Sequence, residues 1–273
     1  MNTEIFRKRD ILLRREASLA AMSIGVGLTH IGEYDYTQTG FFHSGMFSLC
    51  VGLERVLKLI LIDDHRLRNK GKFPPNQILR RHSHKLSDLL QRAEQIADCH
   101  GLKIDKELLQ DELTERVIRF LTDYATTARY YNLDTITGRP QSGMEPLMRW
   151  NKEICTPILA RHFRPSKRYK AEMEHVIQSM FPFINVCQTC DDGTPINDVR
   201  TGVLESAKIK TKQKYSKYYV YSIVCFVCDI QRELEYKGEF FPYLREFFVL
   251  FTNQDRNWIL RKKSWNPFPP YRF

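Results

Sequence analysis

Residues 41–64, FFHSGMFSLCVGLERVLKLILIDD, constrain the fold more than any other stretch. They are apolar around most of a helical circumference, yet Glu54, Arg55 and Lys58 sit in their middle. A run this long and apolar belongs in a bilayer or at the centre of a helical protein. Near the bilayer centre His43, Glu54, Arg55 and Lys58 would each cost roughly a few kcal/mol. In a bundle, Glu54 and Lys58 stand four apart with the acid first, the favourable order for a pair on one helix face. The run therefore predicts a central buried helix over 39–62 and no membrane association.

The rest of the chain fits that choice. Its 273 residues, 42% hydrophobic and 27% charged, suffice for one large domain or two modest ones. The first ten residues hold no apolar signal core, and the seven cysteines are an odd number, which points to a reducing cytoplasm. Period-3.6 patterning predicts a basic amphipathic helix over 5–24, with Arg7, Arg14 and Arg15 towards solvent and Gly25, Gly27 and Gly32 weakening or ending it. Residues 63–76 read as a basic loop punctuated by Gly71, Pro74 and Pro75. Further helices are predicted over 85–100, 105–131, 145–163 and 166–180. Residues 203–214 are polar and ambiguous. Residues 215–236 read as a helix despite a YYVYSIVCFV core rich in strand formers. Another helix is predicted over 240–251, before an extended proline-rich end. The expected fold class is all-α, with a helical bundle over 1–164 and a mainly helical region over 165–273.

Four short segments strengthen the bundle: FHSGMFSLCVGLERVLKLILI, HSHKLSDLL, FLTDYATTARYYNL and MRWNKEI. In order and helical pattern they resemble HEPN domains, the four-to-five-helix bundles of bacterial toxin and defence systems. The resemblance spans about residues 10–160. It implies that Glu54 and Lys58 orient the bundle rather than act as acid and base. It also implies a homodimer, a partner protein of the same system, and action on RNA in toxin–antitoxin or antiphage defence.

Many HEPN proteins are metal-independent endoribonucleases that use an arginine, four to six intervening residues and then a histidine. The ribose 2′-hydroxyl attacks the adjacent phosphate, an imidazole moves protons near neutral pH and a guanidinium steadies the charge on phosphate oxygens. Arg168 and His175 match that spacing and are the candidate catalytic pair. They lie beyond the resembling segment, about 10 Å apart along a helix, and read equally as a solvated helix face. The other reading is a non-catalytic HEPN-like module that holds a nucleotide or a partner protein. No cofactor is expected, since the chain has no glycine-rich phosphate loop, GxSxG or HExxH.

The net charge of +10 and pI near 9.2 favour a polyanionic partner, nucleic acid first. Lys70, Lys72, Arg80, Arg81, His84 and Lys85 form one basic cluster suited to phosphates. Arg129, beside Tyr130 and Tyr131, is placed to stack on a base, although those rings also suit packing against the next helix. Residues 208–214, KIKTKQK, alternate cations with period two before Tyr215, Tyr218 and Tyr219, a pattern suited to single strands if exposed. The pairs Cys187/Cys190 and Cys225/Cys228 have the spacing of a four-thiolate zinc site. The second pair is embedded in an apolar run, and 34 residues separate the pairs, so no metal is assigned.

Overall fold

A computed structural model describes residues 2–81, 84–126, 130–140, 143–180, 188–191 and 193–268. The fold is all-α. The main helices are α1 (Asn2–Glu33), α2 (Gly40–Arg68), α3 (Asn76–Arg80), α4 (Leu86–Cys99), α5 (Glu112–Thr126) and α6 (Tyr131–Ile136). After these come α7 (Pro146–Trp150), α8 (Thr156–His162), α9 (Lys167–Met180), α10 (Val199–Gly238) and α11 (Arg256–Arg261). The only strands among the described residues are β1 (Gln188–Thr189) and β2 (Pro195–Ile196), an antiparallel pair with Gln188 opposite Ile196.

Helices α1 and α2 form a long hairpin, and the glycines expected to end α1 instead let it approach its neighbours. A Cβ on Gly27 would lie 2.4 Å from Leu49 Cγ, and one on Gly52 would lie 2.7 Å from Ile24 Cγ1. Gly25 leaves room in the same way for the Trp265 carbonyl. Backbone contact this close repays the poor helix propensity of glycine, about 1 kcal/mol per residue. Helix α2 buries Leu53, Leu57 and Leu61, and Lys58 Nζ donates to Glu54 Oε1 at 2.6 Å, the expected pair. It also runs six residues past its expected end, to Arg68, where a basic loop was predicted. Asp63 and Asp64 there are buried and paired with Arg66 and Arg68 along the helix, which removes the need for solvent.

Helix α10 contains the helix expected over 215–236 and extends it through the ambiguous stretch before it. Its forty residues, about 60 Å of helix, take in both the polar stretch 203–214 and the strand formers that follow. Every residue from Ser216 to Gln231 is buried. A helix enclosed on all sides selects side chains by packing, so β-branched and aromatic residues are accepted against their propensity. α10 packs against α1, α2, α5 and α8. It therefore shares the centre with α2, and the core cluster runs without interruption from Leu13 to Trp265 across the expected boundary at 164. Two of the polar side chains it carries inwards, Gln231 and Glu235, reach partners across the core. Gln231 Nε2 donates to Asp63 Oδ2 at 2.6 Å, and Glu235 accepts from the Arg245 backbone N–H at 2.9 Å and from its guanidinium.

Local chemistry explains the remaining differences. The predicted helix 105–131 is interrupted at Asp111, which follows a 3₁₀ turn (Glu107–Gln110) and accepts from Leu113 N at 2.9 Å to restart it as α5. The predicted helix 145–163 is present as α7, a π-helical turn (Asn151–Cys155) and α8. Pro157 has no N–H for the Glu153 carbonyl, and Arg116 Nη1 donates to that oxygen instead, at 3.3 Å. Pro242 restricts the chain after α10, and the predicted helix 240–251 becomes two 3₁₀ turns, Leu244–Phe247 and Val249–Phe251. No helix among the described residues is long and apolar enough to cross a membrane.

Candidate functional site

On a helix, the lysine-rich stretch 208–214 does not form a single basic face. Lys208 pairs with Glu205. Lys212 turns inwards and donates to Asp191 Oδ2 at 3.0 Å, tying the turn after β1 to α10. Burial opposes the Lys212 charge, but Asp191 outweighs it and the pKa is raised. Lys210, Lys214 and Lys217 stand at i, i+4 and i+7 and share one stripe of α10.

That stripe forms the wall of a cavity of about 860 Å³, large enough for a nucleotide-sized ligand. The opposite wall is the α1–α2 turn: Gly32, Glu33, Gln38 and Phe41. Asp35 holds this turn, with Oδ1 accepting from Thr37 N at 2.8 Å and Gln38 N at 3.0 Å. The third wall is the segment at the end of α11, with Leu260, Arg261 and Lys263. Trp265 N donates to Thr29 Oγ1 at 3.0 Å, and the buried Trp265 ring packs on Tyr221 and Trp258, so this segment is pinned across α1 and α10. Asp255 caps α11 by accepting from Asn257 N at 2.8 Å.

Five cations, Lys210, Lys214, Lys217, Arg261 and Lys263, line the cavity against one carboxylate, Glu33. None of the five forms an ion pair with a described acidic residue. Lys217 is the deepest, at 4% exposure, and its ammonium donates to the Lys262 carbonyl. Burial, with Lys214 and Lys262 nearby, lowers its pKa to about 8. Gly32 lies beside Lys217, whose Cδ would be in ordinary contact, 3.5 Å, with a Cβ there. The lining thus carries five cationic side chains and one carboxylate, a charge balance complementary to an anion. Sequence reasoning missed Lys217, Arg261 and Lys263. The helical spacing 210, 214, 217 was the available signal, obscured by the period-two alternation around it.

The residues expected to act lie elsewhere. Arg168 and His175 are both exposed on α9, and Arg168 Nε donates to Glu172 Oε1 at 2.8 Å. A cavity of about 650 Å³ lies between α9 and the start of α10, lined by Tyr169, Met173 and Val176, and neither Arg168 nor His175 is part of that lining. Lys70, Lys72, Arg80, Arg81, His84 and Lys85 are exposed, Lys70 and Lys72 just after the C-terminal end of α2 and His84 beside its middle. Phe41, in the cationic cavity, is at the other end of this helix of about 40 Å. His84 Nδ1 lies 3.0 Å from Glu54 Oε2, so Glu54 serves both Lys58 and His84.

Arg129 lies outside the described residues. Its neighbours Tyr130 and Tyr131 line a cavity of about 400 Å³ with His43, Phe47 and Tyr124. Burial lowers the His43 pKa there. Tyr215 and Tyr219 do not form a free stacking surface. His162 lies flat on Tyr215 with ring centres 3.6 Å apart, and its Nε2 is 2.8 Å from Tyr219 Oη.

Cys225 and Cys228 are buried within α10, and burial pushes the Cys225 thiol up to about 12 and raises that of Cys228 as well. Cys187 lies outside the described residues. Among the described residues no group of three or more His, Cys, Asp or Glu side chains is placed to hold a metal ion. Comparison of the chain with protein-family models, curated proteins and solved structures gives no match in any of the three.

Proposed function

We propose that this protein is a nucleic-acid-binding module, with the phosphates of a single strand held in the cationic cavity between the α1–α2 turn, α10 and the segment after α11. One observation carries the reading. Five cations without acidic partners line a cavity that contains a single carboxylate. Such an excess attracts phosphate and releases counterions when phosphate binds. Phe41 and Leu260 offer apolar surface beside the charges, suited to a sugar or base face. This reading is the non-catalytic alternative, and neither Arg168 nor His175 lines the cavity.

Binding of a short single-stranded RNA, titrated against salt, tests it. Lys210→Glu with Lys214→Glu should weaken binding at least about tenfold, and the slope of log K against log salt should become shallower by about two. Unchanged affinity and slope in the double variant would remove the cavity from consideration. Incubating RNA with the protein in EDTA tests cleavage separately, and intact RNA is expected. Cleavage that survives chelation and disappears in His175→Ala would instead establish a metal-independent endoribonuclease at Arg168 and His175.

A further inference from the structure

The cavity is lined by three separate segments of the chain, and its most buried cation has no counter-charge. Other deeply buried cations in this protein are neutralised, Lys212 by Asp191 and Arg66 by Asp63. Lys217 has one carbonyl and like charges for company. Desolvating an ammonium without an anion is costly, and a ligand that brings the anion recovers that cost.

The groups facing Lys217 come from every wall. Glu33 belongs to α1, Lys210 and Lys214 to its own helix, and Arg261 and Lys263 to the segment after α11, where Lys262 stands alongside. The α2 side contributes only the neutral Phe41, and the turn before it Gln38. An internal phosphodiester carries one charge and has two free oxygens. A monoester carries nearly two at neutral pH and has three free oxygens, so it matches a cluster of cations with an uncompensated buried ammonium better.

We propose that the cavity takes a dianionic phosphate monoester, the terminal phosphate of a nucleic acid strand, with Lys217 as its innermost contact. This rests on the nucleic-acid reading and narrows it from backbone to strand end. Phe41 and Leu260 then meet the terminal nucleoside. Lys217 holds its proton below about pH 8, and the monoester is doubly charged above about pH 6. Discrimination for the phosphorylated end therefore peaks between these limits.

The test compares one RNA sequence with a 5′-phosphate, with a 3′-phosphate and with hydroxyls at both ends, together with a nucleoside monophosphate, by fluorescence anisotropy or competition at fixed salt. A phosphorylated end should bind about tenfold tighter than the hydroxyl-ended strand. Lys217→Met should erase that ratio, and Lys217→Arg should keep part of it. If Lys217→Met does not fold, as judged by circular dichroism, Lys263→Glu at the cavity serves in its place and should shrink the same ratio. Equal binding of phosphorylated and hydroxyl-ended strands, both weakened by the Lys210/Lys214 double variant, overturns the terminal-phosphate assignment and leaves the nucleic-acid reading standing. Failure of every strand to bind overturns both. A mononucleotide that competes as well as the phosphorylated strand overturns the strand end as the source of the phosphate.

Discussion

A lysine that folding strips of water makes stability depend on pH in a definite direction. The ordinary pKa of Lys217 is 10.5, and in the folded protein it is about 8. Below pH 8 the amine is charged in both folded and unfolded chains, and the folded state carries the full penalty. As pH rises from 8 to 10.5 the folded protein sheds the proton first, and stability increases. Thermal melts of Lys217→Met against wild type check this. The variant should be the more stable below pH 8, and the difference should shrink towards pH 10.5. Lys212 behaves oppositely, because Asp191 holds its proton. Lys212→Met should destabilise by about 3–5 kcal/mol by leaving a buried carboxylate alone, as read by urea unfolding. At this scale the sequence was informative where partners are close along the chain. The Glu54–Lys58 pair follows from spacing alone. That His84 joins Glu54 from thirty residues away does not, nor does the difference between Lys210 facing a cavity and Lys212 facing a buried acid.

Patterning revealed helices readily and their ends less well. The stripe Leu86, Leu89, Leu90, Ala93, Ile96 and Ala97 is buried along α4 as its spacing requires. Glycine was misread because a single sequence cannot separate a helix breaker from a helix contact, and only the neighbour shows that Gly27 faces Leu49. Gly27→Val and Gly52→Val should each cost about 1–3 kcal/mol or more by overpacking, whereas Gly40→Ala, where a Cβ meets nothing within 4 Å, should be neutral or stabilising. Denaturant midpoints of the three variants make the comparison. α10 was difficult to read for a related reason. Burial on all sides leaves no polar face to give the 3.6-residue period away, and the ring-rich centre imitates a strand.

Across the whole molecule the all-α class was legible, and the cavity was not. Its walls come from residues 32–41, 210–217 and 260–263, brought together only by the packing of α10 and the segment after it. Trp265 secures that last wall, and Trp265→Ala should cost about 3–5 kcal/mol while weakening RNA binding. Thermal melts and anisotropy on the same sample measure both.

Because those walls span nearly the full sequence, a bound guest would act as a rivet through three distant stretches of polypeptide. Saturating amounts should raise the melting midpoint in proportion to the logarithm of guest concentration. Proteases should also find fewer transient openings in the segment after α11, which the Trp265 anchor ties to α1.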